Sequence, residues 1–347
     1  MRSLRRLALS VLTGCAVLTG LIVPGSAALA VSEKCSNVTV PVTVLPLLPM
    51  TVRGQLCVPS VGTPLTVQIL LHGATYNRAY WDLPYQPDRY SFQRDMARHG
   101  LATFAIDELG IGESSRPLST LLTGVSQANA VHQIVGRLRA GQVDSVRYTK
   151  VVLHGHSAGS AISVMEAATY HDVDGVVLTG ATHLPNVPVV GQDVLFGLYP
   201  VTLDPQLGPR GGDPGYLTTK PGTRGGMYHG PQDMDPNAVE ADETHAKDQV
   251  SVTSLVDIIS IGLVSPISVQ INVPVLLANG TDDTGFCGLI RDCSTAEALR
   301  AQEAPYFSGA AKLTVYVLPK SGHSVALAAN AWLYRDVTRE WLATYVG

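Results

Sequence analysis

The segment Thr149–Gly159 has the sequence TKVVLHGHSAG, and it decides the fold. Thr149–Leu153 is a short apolar run typical of a buried strand, and the stretch that begins at Ala158 is rich in small residues and predicts a helix. Between them, Ser157 has a glycine two positions before it and another two positions after it. A side chain at either glycine would collide with the strand or the helix if the serine occupied a sharp turn. The pattern therefore predicts a strained strand–turn–helix that presents the hydroxyl group of Ser157.

A serine hydroxyl is a weak nucleophile without a base, and two later strand ends offer suitable partners. His323 follows the last apolar run of the chain, and Asp282 and Asp283 follow the apolar run before it. A histidine that acts as a base needs a carboxylate to orient it. The order of Ser157, an aspartate and His323 thus predicts a nucleophile, an acid and a base, with either aspartate as the acid.

Apolar runs and helical patterns alternate along most of the chain. Strands are predicted over Val38–Val44, Thr51–Val58, Leu65–Leu71, Leu101–Ile106, Thr149–Leu153, Gly175–Leu178, Val273–Ala278 and Leu313–Leu318. Helices are predicted over Ser91–His99, Val125–Leu138, Ala158–Tyr170 and Thr295–Glu303, with a final helix that ends at Tyr345. Continuous apolar strands separated by helices indicate an α/β fold with a mostly parallel sheet covered on both faces.

The alternation stops after Gly180. Residues 205–237 contain 14 Gly or Pro among 33 positions, a composition that disfavours regular helix and sheet. A helix-like stretch, Val239–Leu263, follows. Its acidic residues are expected on a solvated face; they are Asp242, Glu243 and Asp248.

A long irregular segment inside a compact domain is usually a functional lid or a disordered insert. We expect residues 184–270 to form a cap or lid inserted into one core. The first part of that core would span residues 31–183, and the second part residues 271–347.

From Val38 to Tyr345 the sequence resembles the α/β-hydrolase superfamily, most closely capped, secreted serine esterases and lipases of bacteria. The motifs that carry the resemblance are His72-Gly73, Asp107–Ser114, Gly155–Gly159, Gly280–Asp283 and Gly322-His323. In this family the acid usually lies three positions after the glycine of its loop, which favours Asp283 and leaves Asp282 as the alternative. Glu108 departs from the family pattern, in which small or apolar residues are frequent at that position.

Developing charge on a substrate oxygen needs fixed donors, and two backbone N–H groups supply them without reorganisation. We expect one from Ala158, immediately after the nucleophile. The second is expected from the loop after His72-Gly73, at Ala74 or alternatively at Thr75.

These residues and the resemblance imply a serine hydrolase that cleaves a carboxylic ester through an acyl-enzyme on Ser157. The expected substrate is a small, largely apolar ester or acyl compound, and no metal or organic cofactor is expected. The same residues would also serve acyl transfer, lactonisation, or cleavage of a C–C or amide bond in secondary metabolism. A non-catalytic binding protein on the same fold is a further alternative.

Several other residues at strand ends have alternative interpretations. His72, His154 and His156 could suggest a metal site, but no carboxylate accompanies them at a ligand spacing, so we expect them to be structural. Asp107 could be a further acid, although a turn-forming role is favoured, and His183 could line the pocket or serve the structure.

The composition excludes other classes of protein. With 46% hydrophobic residues the chain is not intrinsically disordered. The 24 Lys+Arg against 28 Asp+Glu give a net charge of −4, which argues against nucleic acid as a partner.

The first residues predict a signal peptide cleaved near Ala30, and hence an extracellular protein. Arg2, Arg5 and Arg6 precede an apolar run, and Ala28-Leu29-Ala30 forms the small-x-small pattern of a cleavage site. Lipoprotein processing at Cys15 is the alternative. No other stretch reaches the ~20 apolar residues that a membrane-spanning helix needs, so no stable membrane anchor is expected.

Without Cys15, four cysteines remain, and they permit three pairings. We expect Cys35–Cys57 and Cys287–Cys293, because both pairs close locally without long crossings. Zinc is less favoured, since no CxxC pair occurs, and export to an oxidising compartment favours disulfides.

Overall fold

The computed structural model describes residues 32–44, 48–232 and 234–347. The expected signal peptide (residues 1–30) and Cys15 lie outside the described residues. Within these ranges, no helix is both long enough and apolar enough to cross a membrane.

Eleven strands occur in the described ranges. They are β1 (Glu33–Val44), β2 (Leu48–Pro59), β3 (Thr66–Leu71), β4 (Ala102–Ile106), β5 (Lys150–His156), β6 (Gly175–Thr179), β7 (Leu198–Pro200), β8 (Tyr216–Thr219), β9 (Val250–Ser251), β10 (Val275–Gly280) and β11 (Thr314–Leu318). Eight of them form one sheet in the order β1-β2-β4-β3-β5-β6-β10-β11. The strands from β4 to β11 in this order pair in parallel, whereas β2 is antiparallel to both β1 and β4.

Ten α-helices accompany the strands in the same ranges. They are α1 (Pro87–Tyr90), α2 (Phe92–Arg98), α3 (Gly124–Ala140), α4 (Ala158–Tyr170), α5 (Val187–Gln192), α6 (Arg224–Tyr228), α7 (Pro236–Ala241), α8 (Val252–Asp257), α9 (Ala296–Glu303) and α10 (Ala331–Tyr345). Helix α3 packs against α4, and helix α2 packs against α10. The predicted α/β class, a mostly parallel sheet flanked by helices, is confirmed.

The local sequence explains where the core elements begin and end. Helix α3 starts at a capping box, in which the Thr123 side chain accepts from the Ser126 N–H and the Ser126 side chain accepts from the Thr123 N–H. It ends at Gly141, whose φ of 71° lies in the left-handed region that glycine adopts without strain. All five residues of β4 and of β6 are buried, as expected for strands covered on both faces.

Both expected disulfide pairs are present. Cys35 of β1 lies directly opposite Cys57 of β2, and their sulfur atoms are bonded. Cys287 and Cys293 close a six-residue separation in the loop after β10. The first disulfide fastens the edge hairpin, and the second fixes the loop that also carries Asp283.

Between β6 and β10 lies the insertion, residues 184–270. Contrary to the expectation for residues 205–237, β8 lies within them and pairs with β7 on one side and β9 on the other. Tyr216 and Thr218 of this strand are buried, so burial on the core outweighs the Gly- and Pro-rich composition.

The prediction of one helix over Val239–Leu263 is wrong. Helices α7 and α8 continue into short π-helical segments, and the chain between them is extended around Asp248. The backbone there bonds to other elements: the Asp248 N–H donates to the Thr75 carbonyl at 2.9 Å, and Val250 pairs with Leu217. Tertiary hydrogen bonds thus replace the helical ones.

Candidate active site

Ser157 lies in the sharp turn between β5 and α4. Its φ of 52° and ψ of −114° are unfavourable for a residue with a side chain. A Cβ atom on Gly155 would lie 2.3 Å from the Gly159 carbonyl oxygen, and one on Gly159 would lie 2.4 Å from that of Leu71. Both glycines are therefore required by steric contact, and the predicted turn is confirmed.

His323 and Asp283 are joined by a hydrogen bond. Nδ1 of His323 lies 2.9 Å from Oδ2 of Asp283, and both residues are largely buried. The other oxygen of Asp283 accepts from the N–H groups of Gly285 and Phe286, both at 3.2 Å. The Phe286 ring stacks on the His323 ring with 5.2 Å between centroids. The Asp283 carboxylate is therefore fixed by His323 and by two backbone N–H groups. The His323 ring is fixed by Asp283 and by the Phe286 ring.

The alternative acid, Asp282, faces elsewhere. Its Oδ1 accepts from the Thr281 hydroxyl at 3.0 Å, and its N–H donates to the Ser321 carbonyl. Of the two candidates, the structure brings only Asp283 into contact with His323.

Ser157 and His323 line the same pocket without a hydrogen bond between them among the described contacts. Catalytic hydrogen bonds are often longer before substrate binds. Gly180 makes room beside the base, because a Cβ there would lie 3.0 Å from His323 Cε1 and 2.8 Å from His156 Cε1. His156 stacks on Tyr80 at 4.4 Å, and burial holds its pKa well below the ordinary value, so it is neutral.

The backbone donors expected for an oxyanion flank the same pocket. Ala74, Thr75 and Ala158 all line it beside Ser157. Ala158 is the first residue of α4, where N–H groups have no partner within the helix. A Cβ on Gly73 would lie 3.2 Å from Ser157 Cβ, so the glycine lets the loop before Ala74 approach the nucleophile closely.

The cavity has a volume of ≈ 110 Å³ and mainly apolar walls. The insertion contributes most of them, including Val190, Val194, Leu198, Met227, Leu255 and Ile258. Asp193 lies in the same wall, and burial raises the pKa of its carboxyl group, an effect that the nearby His323 opposes. The predicted nucleophile, base and acid therefore lie in the core, and the walls of the cavity come mainly from the insertion.

A model of the alpha/beta hydrolase family matches residues 68–335, which is more than half of the chain. The chain belongs to the alpha/beta hydrolase family. No curated protein matches the sequence of this hydrolase.

Solved structures share the fold at low sequence identity. An esterase from Thermogutta terrifontis is 18% identical, with a TM-score of 0.60 over 88% of this hydrolase and 98% of that chain. A bromoperoxidase from Bacillus anthracis is 14% identical, with a TM-score of 0.57 over 88% and 99%. A serine hydrolase involved in carbazole degradation is 14% identical, with a TM-score of 0.52 over 89% and 100%. At these identities the likeness shows the fold alone.

The insertion of the hydrolase is fastened to the active-site loops by a buried ion pair that sequence reasoning missed. Arg224 Nη2 lies 2.9 Å from Asp242 Oδ1, and both side chains are fully buried. Arg224 Nη1 donates to the Thr75 carbonyl at 2.9 Å. Although burial opposes it, Arg224 and His229 lower the pKa of Asp242, so this carboxylate is charged.

This ion pair also reaches the loop of the base. The Tyr76 hydroxyl donates to Asp242 Oδ2 at 3.2 Å and lies 2.8 Å from the hydroxyl of Ser324, the residue after His323. The solvated face expected for the acidic residues is therefore wrong for Asp242 and also for the buried Asp248. Arg224 and Asp242 are 18 positions apart, and no local pattern in the sequence indicates that they pair.

The other strand-end residues have structural partners. His154 is buried beside Phe92, and burial lowers its pKa to about 3. The His72 ring accepts from the Glu108 N–H at 3.2 Å. Asp107 is buried in an ion pair with Arg78.

His183 does not line the pocket of the hydrolase. Its Nδ1 lies 2.7 Å from Glu303 Oε2, and its ring stacks on Tyr306 with 4.1 Å between centroids. Of the two roles left open by the sequence, the structure favours the structural one.

Proposed function

We propose that this hydrolase cleaves carboxylic esters through an acyl-enzyme on Ser157. The observation that carries the proposal is the 2.9 Å hydrogen bond between His323 and Asp283 beside the strained turn of Ser157. One structural neighbour is an esterase and another is a serine hydrolase, which agrees with this chemistry at the level of fold.

In the first half of the reaction, Ser157 Oγ attacks the ester carbonyl carbon while Nε2 of His323 takes its proton. Asp283 keeps Nδ1 of His323 protonated and stabilises the imidazolium. The N–H groups of Ala158 and Ala74 bind the oxyanion, each contributing about 3 kcal/mol to transition-state stabilisation. His323 then protonates the leaving alcohol.

In the second half, His323 activates a water molecule that attacks the acyl-enzyme. The tetrahedral intermediate is bound by the same donors, and its collapse returns the proton to Ser157. Apart from this water molecule and the substrate, every step uses groups of the described residues.

The substrate is proposed to be a short, apolar acyl ester. Drug-sized ligands occupy pockets of about 300–1,000 Å³, whereas this cavity has a volume of ≈ 110 Å³. We assign the insertion, residues 184–270, the role of a cap, because its apolar side chains form the wall opposite Ser157.

The proposed site of action is outside the cytoplasm. The disulfides Cys35–Cys57 and Cys287–Cys293 support this location, because such bonds persist in oxidising compartments. Cleavage near Ala30 after export would be seen as a mature N-terminus at Val31, whereas an N-terminal lipidated Cys15 would contradict it.

A fluorophosphonate probe together with a series of nitrophenyl esters tests the activity. We expect the intact protein to be labelled at Ser157 and to hydrolyse the short esters, and Ser157→Ala to lose both properties. Ser260→Ala is the matched control, since Ser260 lies on the exposed side of the insertion and its hydroxyl bonds within its own helical segment. Labelling that persists in Ser157→Ala would place the nucleophile elsewhere.

A further inference from the structure

A cluster of metal-ligating side chains lies away from the active site, on α3, on α4 and in the loop that follows α4. His132, Glu166 and Asp172 each offer a ligand atom, and these atoms lie within 4.8 Å of one another. Glu166 lies nine positions after Ser157, about 13 Å along the helix at 1.5 Å per residue. The cluster is therefore separate from the ester pocket.

Glu166 is the unusual member of this cluster. Its side chain is fully buried, and neither carboxyl oxygen accepts a hydrogen bond from an N–H or O–H donor of the described residues. The one group in hydrogen-bond reach is the side-chain carboxyl of Asp172. Asp172 Oδ1 likewise accepts no hydrogen bond from such a donor. Buried polar groups are nearly always paired, since an unpaired one loses its hydration without compensation. The Glu166 and Asp172 carboxyl groups lie too close to carry two negative charges unaided, so either a shared proton or a bound cation must lie between them, and the neighbouring imidazole of His132 supplies a metal ligand.

The third ligand is already held in position. His132 Nδ1 lies 2.7 Å from Asp172 Oδ2, and its ring stacks on the Tyr170 ring with 3.9 Å between centroids. The Tyr170 hydroxyl accepts from Asn129 Nδ2 at 2.9 Å, which fixes the stack. The His132 and Asp172 side chains are 38% and 25% exposed, so an ion could enter from solvent on their side.

The only guanidinium group that the contacts place next to the cluster is Arg139, within the described residues. It donates to the Asp172 backbone carbonyl at 2.7 Å and to the Asp174 carboxylate at 2.7 Å. Its hydrogen bonds thus go to other acceptors, and Arg139 makes none with the side-chain oxygens of Glu166 and Asp172.

We propose that His132, Glu166 and Asp172 bind one divalent transition-metal ion, most suitably zinc. One imidazole and two carboxylates form a mixed N/O set, and imidazole favours zinc over calcium or magnesium. Ligands bound at about 2 Å lie within about 4 Å of each other, so small side-chain rotations complete the site. Because the ligands come from α3, α4 and the following loop, the ion acts as a structural cross-link.

Zinc titration of the mature, disulfide-bonded protein tests this proposal. The protein carries no histidine tag and is first dialysed against a chelator. We expect one zinc ion per chain by calorimetry and a rise of several degrees in Tm at saturating zinc, because a ligand that binds only the folded state stabilises it. Calcium is expected to give no comparable shift.

Two variants remove ligands in different ways. Glu166→Gln replaces the buried carboxyl by a neutral group of the same shape, and His132→Gln changes a partly exposed ligand, so at least the second is expected to fold. Both should lose the bound zinc and the shift in Tm. His99→Gln is the control, because His99 is exposed and paired only with Asp95 of its own helix.

Either of two results would overturn the proposal. If the intact protein binds no stoichiometric zinc, or if both variants keep the zinc-dependent rise in Tm, the cluster is not a metal site. The absence of zinc binding together with a metal-independent gain of stability in Glu166→Gln would instead show two carboxyls that share a proton.

Discussion

The loops at the strand ends and the insertion meet at one pocket, but their side chains are held in place by different kinds of interaction. Ser157, Asp283 and His323 each follow a strand of the central sheet, and each is positioned by its own short stretch of backbone. The insertion contributes apolar walls and is held by a buried ion pair whose members are far apart in sequence.

Under the proposed function, this difference assigns bond cleavage to the strand-end loops and substrate recognition to the insertion. A change in the strand-end loops should alter the rate of bond cleavage for every substrate. A change in the insertion should alter stability or the choice of substrate. The variants that follow test the two regions, in order from the largest expected effect to the smallest.

Asp283→Asn should have the largest effect. An amide can no longer hold His323 in the tautomer that accepts the Ser157 proton, so kcat should fall about 10⁴-fold with little loss of stability. Asp282→Asn is the matched control and should stay close to wild type, since Asp282 bonds to Thr281 instead. Steady-state hydrolysis of a short nitrophenyl ester would give kcat for both variants. Equal losses in the two variants would contradict the assignment of the acid.

Arg224→Met should act on stability. The substitution leaves the Asp242 carboxylate buried without its partner, and breaking a buried pair in this way typically costs about 3–5 kcal/mol. Urea unfolding of the variant and the wild type would measure the loss. The control is Lys150→Met, which removes a half-exposed pair with Asp174 and should cost less than about 1 kcal/mol.

A double variant sharpens this result. Arg224→Met combined with Asp242→Asn removes both charges, so its loss should be smaller than the sum of the two single losses. Simple additivity would mean that the two charged groups do not stabilise each other.

Glu108 also has a buried carboxyl group, but unlike Asp242 it forms no ion pair among the described residues. Burial raises its pKa to about 7, and its Oε1 has no hydrogen-bond partner among the described residues. Because the folded state then holds the proton more tightly than the unfolded state, this group contributes most stability at low pH. The contribution is lost as pH rises from about 4.5 to about 7, by about 3 kcal/mol in total.

Comparison with Glu108→Gln isolates that contribution, since all other groups titrate in both proteins. The free energy of unfolding of wild type relative to the variant should fall between pH 5 and pH 8, as measured by urea unfolding at each pH. Parallel pH profiles of the two proteins would mean that Glu108 is charged throughout or solvated.

Leu255→Ala should have the smallest effect and act on substrate choice. Leu255 lines the pocket, so its truncation makes room for a longer acyl chain. We expect the ratio of kcat/KM for octanoate over butyrate esters to rise about tenfold, the effect of a methylene or two in an apolar pocket. Val256→Ala is the control, since Val256 is 60% exposed and does not line the pocket. If Val256→Ala raised the kcat/KM ratio equally, the pocket-lining side chains of the insertion would not determine the choice of substrate.

The contrast also explains how much the sequence could predict. The turn at Ser157 was predictable because the two glycines that permit it lie within a stretch of five residues, and the positions of Asp283 and His323 follow from the alternation of strands and helices. Their common location at one edge of the sheet was also predictable, because this alternation gives a parallel sheet whose strands end at the same edge.

The insertion was not predictable in this way. The chain around Asp248 is extended because its N–H bonds to the Thr75 carbonyl, a contact across 173 positions. The pairing of Arg224 with Asp242, and the meeting of His132 with Glu166, depend on packing that no local pattern encodes. Acidic residues predicted to face solvent were therefore found in the interior.

The backbone at Ser157 has a further consequence. A φ of 52° with a ψ of −114° suits glycine, and holding a side chain there costs on the order of 1–3 kcal/mol. The same turn would be more stable without the hydroxymethyl group that makes it useful. Selection for thermal tolerance alone would therefore favour glycine at this position, and the rest of the fold has to compensate for the strain at Ser157.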